Sequence, residues 1–482
     1  MNRRNVLRGS VLGLAALSIP QTRIAAQQAG KDGAMGALSA YMSAAGGRAL
    51  PPEIVDQAKN HIVDTLAAML SGSELLPGQA ALRYARSRAA AGVATIAGST
   101  LTSEPLDAAL VNGIMAHADE TDDSHELSRS HPGCSVVPAA LAMGEETGID
   151  GARFLRAVAL GYDIGTRVAM ALGGVTFSYQ SQHSTHSIAG VFGSAAAAAC
   201  AAGLDARQMR WVLDYTAQQA AGIIAWRRDT DHIEKAFVFA GMPARNGVAS
   251  ALLVRSGWTG VDDIFSGKEN FLAAYASGGE PAQLTDKLGE RYEVARTDIK
   301  KWSVGSPIQA PLDALVLIRG KQSFGAEQVA RVVVRLAPDV ASVVDNRDIP
   351  DICLQHMIAV MLLDNTVSFK AAHDAGRMRD PAVLRQRAKV QLVADEALAR
   401  LLPARVAIVE VTLIDATLLA QRVEAVRGTV RNPMSRAEVA EKAKDLIAPV
   451  TGSEKATRLI AVVFNLEDMT SIRALRPLLQ RE

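Results

Sequence analysis

From about Gly36 to Phe271 apolar side chains return every three or four residues, segment after segment, as a succession of packed helices requires. Pro51-Pro52 leads into Ile54, Val55, Ala58, Ile62, Leu66 and Met69, and Gly72 stops the pattern. Ser103, with Pro105 in the first turn, starts a helix running through Leu110 to about Ala118, and another spans Ser135 to Gly148. Ala189 to Gly203 is made largely of Ala and Gly, and is shorter than the ~20 residues that cross a bilayer. Small side chains there predict a buried central helix that its neighbours approach closely.

The texture changes near Leu284. Val329 to Leu336 and Val406 to Leu413 are β-branched runs of strand length, while Leu354 to Leu363 and Pro381 to Val390 between them read as helices. Residues 284–430 therefore predict a smaller α+β domain. After Asn432-Pro433, Ser435 and Glu438 form a capping-box pattern. The helical segment 433–482 is expected to pack back onto the first helical part, 36–280. The fold class is thus mainly α with one α+β domain.

Composition narrows the function. A chain of 482 residues exceeds what one core usually supports, which agrees with two domains. Hydrophobic residues at 49% and charged residues at 21% are the balance of a soluble globular chain, with no membrane span expected in the mature protein. A formal net charge of +1 supplies no field that would attract nucleic acid. An anionic ligand must therefore be drawn by a local site. Cys134, Cys200 and Cys353 lie far apart and form no Cys-x-x-Cys pair, so zinc ribbons and linear iron–sulfur motifs are not expected.

Arg3-Arg4, the short apolar stretch Val11 to Ile19, and the small residues Ala25 and Ala26 follow the order of a removable export signal, residues 1–27. The paired arginines resemble the twin-arginine type, which implies a periplasmic protein.

Five of the nine histidines fall between 117 and 186. The first block runs His117, Glu120, Asp122, Asp123, Ser124, His125 and then His131-Pro132, between the end of one helix and the start of the next. Pro132 keeps His131 extended, and free N–H groups at the following helix start favour an anion beside that imidazole. Such a histidine suits proton transfer to or from a carboxylate substrate. The block Gln182-His183-Ser-Thr-His186 repeats the arrangement ahead of the Ala-rich helix. Lys235, followed by Ala240 to Gly247 with Arg245, offers a fixed cation for a substrate carboxylate or an enediolate. Each feature also has a plainer reading: Asp122 and Asp123 as loop caps, His61 as packing, Lys235 as a surface lysine. His117, His125 and His131 could together ligate a metal, but their spacings match no compact ligand motif, so no metal is expected.

Together these blocks resemble the MmgE/PrpD family, which includes 2-methylcitrate dehydratase and cis-aconitate decarboxylase. The resemblance extends from about Leu38 to Leu479 and is carried by five stretches in order. They are His117 to Pro132 with Pro138 to Ala142, Gly190 to Ala199, Ala240 to Gly247 with Gly257 to Gly260, Lys300-Lys301-Trp302 to Leu315, and Met361 to Asp364. It implies a helical domain built from both chain ends, an inserted α+β lid, a homodimer, no cofactor, and a site between domain and lid. By position it implies catalytic roles for Glu120, Ser124, His131, Lys235 and either His183 or His186. Members carry Asp at Glu120, Thr at Ser124 and, in several, His at Gln309; the decarboxylase's tyrosine falls on His356. Asp123, Arg245 and Gln309 are expected at the substrate. His356, in an otherwise apolar helix, is either lid-side acid–base chemistry or a core histidine.

The expected activity is a lyase on a small di- or tricarboxylate. An epimerase using the same proton abstraction, and a non-catalytic periplasmic polycarboxylate-binding protein, remain open. The export reading has a direct check: N-terminal sequencing of protein from the native host should begin near Ala26 or Gln27. Recovery of chain beginning at Met1, from the cytoplasm alone, would discard it.

Overall fold

The computed structural model describes residues 21–88 and 92–481, with side chains from residue 33 onward. Of the export signal expected over residues 1–27, residues 1–20 lie outside the described residues, and residues 21–27 open the helix Gln21–Ala45. Ten longer helices and one sheet position the site. They are α1 (Pro52–Gly72), α2 (Pro105–Ala116), α3 (Gly133–Thr147), α4 (Gly151–Ala171), α5 (Thr185–Ala202), α6 (Met242–Arg255), α7 (Ser306–Lys321), α8 (Leu354–Asp364), α9 (Arg436–Thr451) and α10 (Ser453–Phe464). The sheet comprises β1 (Val329–Leu336), β2 (Val390–Ala394), β3 (Ala407–Leu413) and β4 (Leu418–Val423). A mainly helical protein with a small inserted α+β unit is what the chain forms.

Two apolar clusters divide the interior. One gathers side chains from Met35 to Ile299 and again from Met434 to Leu479. The other runs from Trp302 to Val426. The C-terminal helices thus return to the first core, α9 lying along α1. The Ser435–Glu438 capping box closes in both directions and starts α9 where the pattern placed it.

α5 is the centre of the helical domain, packed by α3, α4 and α6. It is long and apolar enough to cross a membrane by composition, yet 89% of that window is buried inside the fold. Its neighbours come close because the contacts are glycine and alanine. A Cβ added at Gly165 would lie 2.2 Å from the Ala189 carbonyl oxygen, and one at Gly247 would lie 2.5 Å from the Ala195 nitrogen. No rotamer relieves a clash with backbone.

In the inserted domain the sheet order is β2-β1-β3-β4, with β1 and β2 parallel and the other pairs antiparallel. β3 alternates buried and half-buried residues, with α7 packed across β3 and β4 and α8 beside β2. Two elements differ from the expectation. The helix at Pro381 stops at Arg387, and Val390 already belongs to β2. β4 was not visible in the sequence. Both are edge strands: β2 is only half-buried with no regular alternation, and β4 alternates exposed and half-buried positions while its residues Leu-Leu-Ala-Gln-Arg-Val do not alternate in polarity.

Several polar contacts tie the inserted domain to the helical one, among them Thr121 Oγ1–Ser303 Oγ at 2.6 Å, Phe369 N donating to Asp445 Oδ2 at 2.8 Å, and a buried histidine–carboxylate pair. His373 Nε2 stands 3.0 Å from Asp119 Oδ2, off-line for a hydrogen bond, so the attraction is Coulombic. Burial opposes charge on His373, but Asp119 and Asp351 outweigh it and raise its pKa to about 9.

Two outcomes follow from this packing. Gly165→Ala should destabilise the protein by about 1–3 kcal/mol through overpacking, read as a lower denaturation midpoint; an unchanged midpoint would mean the helices separate easily. His373, whose unfolded pKa is ~6.5, stabilises fully below that value, and the contribution disappears as pH rises through about 9. The melting temperature should therefore fall from neutral to alkaline pH, and His373→Gln should flatten that fall. An equally steep fall in the variant would show that the contact contributes nothing.

Candidate active site

The loop from His117 to Pro132 joins α2 to α3 and is fixed before it can do any chemistry. Asp123 accepts from Tyr162 Oη at 2.5 Å and Gly133 N at 3.0 Å, and lies 2.8 Å from His61 Nδ1. Those partners sit on α4, α3 and α1, so this carboxylate pins the loop to three helices. Lys442 on α9 adds contacts to Asp64 Oδ1 at 2.6 Å and the Thr121 carbonyl at 2.8 Å. Asp123 was expected at the substrate. The structure instead gives its oxygens to the scaffold.

Asp122, one residue away, faces the other side. Its Oδ2 lies 2.8 Å from His117 Nδ1 and 3.3 Å from His131 Nδ1, and its Oδ1 is 3.5 Å from Lys300 Nζ. Glu120 pairs with Lys235, and its backbone carbonyl accepts from Lys300 Nζ at 2.9 Å. Burial alone would raise both acids, but Lys235 and Lys300 hold Glu120 well below the carboxylate range, and His117, His131 and Lys300 do so for Asp122.

Phe239 orders the imidazoles. It lies in a wide π turn, Phe237–Gly241, between the short helix carrying Lys235 and the start of α6. Its ring stacks on His117 at 4.5 Å and His186 at 3.8 Å, and Trp226 meets it edge-on at 4.7 Å. His131 then sits 5.2 Å from His117 and 5.1 Å from His186, centroid to centroid. Burial lowers the His131 pKa to about 4 and carries His186 further below its ordinary value. Both imidazoles are neutral at neutral pH. His131 Nδ1 lies 3.3 Å from Asp122 Oδ2 but out of line for a hydrogen bond, and a neutral imidazole keeps one nitrogen at which a proton can be taken.

Glu120, His131, His186 and Lys235 therefore converge, as does His117. His183 does not: it stacks on Phe177 and leans on Tyr275, at 6.1 and 4.9 Å. Arg245 is exposed on α6, away from the cluster. Gln309 spends its amide on the backbone of residues 302 and 304, clipping the turn before α7. His356 is enclosed in the second core with neither nitrogen hydrogen-bonded, and burial takes its pKa to about 4. His125 turns to Ser128 and Glu293, so the His117–His125–His131 ligand set is not assembled. His117, Asp122 and Cys134 do bring ligand atoms within 4.8 Å of one another.

Two members escaped the sequence reading. Lys300 reaches Glu120 and Asp122 from 180 and 178 residues away, a distance that no local pattern reports. His232, with a left-handed φ of 66°, sits 5.2 Å from His117 and feels Lys235 and Glu120. A positive φ at a histidine leaves no signature in composition.

A cavity of about 260 Å³ adjoins the cluster, lined by Ser124 and Lys300 on one side and by residues 404–405 and 424–431 on the other. Ser124 is held there by paired backbone bonds with Asp298, 2.9 and 2.8 Å.

Comparison with known proteins agrees with this division. Residues 36–284 match the MmgE/PrpD N-terminal domain and residues 302–468 the C-terminal domain. The cis-aconitate decarboxylase-like protein oryM of Aspergillus oryzae is 26% identical over 315 residues, 60% of this chain and 64% of that protein. The chain thus aligns with less than two thirds of that relative's length. The cis-aconitate decarboxylases of Homo sapiens and Mus musculus are 23% and 24% identical, each over 89% of this chain and covering 91% and 89% of their own. These kinships support a lyase-type reaction. With both of its domains matched, the chain belongs to the MmgE/PrpD family.

Proposed function

We propose that the protein is a lyase that removes water or carbon dioxide from a small di- or tricarboxylate, using its own acid–base groups. The observation that carries this reading is one neutral imidazole, His131, between two lysines that bracket buried carboxylates. Relatives named as cis-aconitate decarboxylases act on a polycarboxylate, which supports that substrate class here.

The chemistry follows from charge. A substrate carboxylate entering beside Lys235 and Lys300 competes with Glu120 for those ammonium groups. The same negative charge raises the basicity of His131. His131 takes the proton from the carbon next to the carboxylate. The electron pair moves into an enediolate, which the lysines stabilise. In a dehydration the C–O bond then breaks, and the His131 imidazolium formed in the first step gives its proton to the departing hydroxide. A decarboxylation omits the proton abstraction: the C–C bond to one carboxylate breaks, carbon dioxide leaves, the electron pair left on carbon spreads into an adjacent double bond, and the resulting carbanion takes a proton from an imidazolium that entered the cycle protonated. An epimerase would share the first step of the dehydration and return the proton to the other face.

The test is a screen of small di- and tricarboxylates for turnover and for solvent deuterium incorporation, after exhaustive chelation. Wild-type turnover is expected to survive the chelator. His131→Gln should lower kcat by roughly 10²–10⁴-fold, the usual contribution of a general base, with a smaller effect on KM. Lys235→Ala should impair both. Deuterium exchange without elimination would select the epimerase. Near wild-type turnover in both variants would remove these residues from the mechanism.

A further inference from the structure

The cavity between the two domains is smaller than the roughly 300–1,000 Å³ sites that take drug-sized ligands, and suits a compact ion. Five of its lining side chains are Lys or Arg and three are Asp or Glu. Four of the cationic side chains already have partners. Arg296 meets Glu293 at 3.0 Å, Lys300 meets Asp122 at 3.5 Å, Arg427 pairs with Glu438, and Arg431 reaches the Glu424 carbonyl at 3.5 Å.

Arg405 is the exception: among the described residues its guanidinium makes no hydrogen bond or ion pair. Burial lowers its pKa, against the pull of Glu126, Asp298 and Glu120. Asp298 is a poor counter-ion, because burial lifts its own pKa to about 7 and one oxygen is taken by Val430 N at 2.8 Å. The backbone that presents Arg405 is anchored. Leu402 and Ala404 pack onto a small apolar cluster of Ala337, Leu398 and Val406.

Arg405 is half-buried and faces the cavity, so its guanidinium is open to an anion, and its planar fork matches a carboxylate. Across the cavity stand Ser124 and Lys300, and Lys300 also touches Glu120 and Asp122. We propose that Arg405 is a substrate-anchoring residue, which grips a carboxylate remote from the reacting carbon while Lys300 marks the end of the cavity nearest the histidines. This rests on the polycarboxylate reading above. Because Arg405 belongs to the inserted domain and Ser124 to the helical one, a ligand with carboxylates at both ends spans the two.

Calorimetric titration of the full chain with citrate and with tricarballylate reads binding independently of turnover. Arg405→Ala should raise Kd for both by roughly 10–100-fold, the effect of losing a charge-assisted pair. Arg405→Lys should do so by less, since an ammonium has no fork. On an active substrate, KM should rise more than kcat falls. Should the alanine variant fail to fold, Arg405→Lys and Arg405→Gln serve in its place. Wild-type affinity in a folded Arg405 variant would overturn the proposal, as would a wild type that binds neither acid at millimolar concentration. If citrate binding depends on Arg405 while no substrate exchanges deuterium, the lyase reading falls and the anchor stands.

Discussion

Burying a carboxylate costs several kcal/mol unless something replaces the water it loses. Three acids within four residues, Glu120, Asp122 and Asp123, are buried here in a single loop. Everything around them can be understood as replacement. Asp123 is compensated by Tyr162, His61 and a backbone N–H, Asp122 by two imidazoles and Lys300, and Glu120 by Lys235 and Lys300. The partners arrive from α1, α3 and α4, and from segments more than a hundred residues downstream. Compensating the charge is therefore also what draws the helical domain together around the site.

That compensation divides the labour between neighbours. Asp123 has partners on three helices, and it sets the loop. Asp122 has partners that can accept or donate a proton, and it sets their orientation. Chemically equal side chains, adjacent in sequence, are separated by the face of the chain on which each lies. Such a distinction is invisible until the fold exists, which is why an acidic pair could be read as cap, ligand or substrate contact alike.

The legible parts of the protein were those governed by local rules. Helix starts at Pro52, Pro105 and Ser435 and the strand at Val329 depend on residues within one or two turns, and the sequence contains all of that information. The histidine-rich loop was legible because its charges are adjacent. Lys300 and His232 were not, because their place depends on contacts across 180 residues and on a left-handed backbone. Arg245 and Gln309 show what position relative to a motif leaves out: Arg245 is exposed on α6, and Gln309 lines the cavity while its amide is held by the turn before α7. His183 and His186 sit three residues apart, and only the packing of Phe239 distinguishes them.

The seam of glycine and alanine around α5 has a mechanical side. A core of leucine or methionine can absorb a displaced helix by changing rotamers, but alanine and glycine have none to change. A shift of α4 or α6 must therefore pass undiminished into α5, near whose first turn His186 stands. The imidazoles are held by a body with almost no internal give, so a disturbance on the far surface of the domain reaches them as a rigid displacement, without being damped on the way.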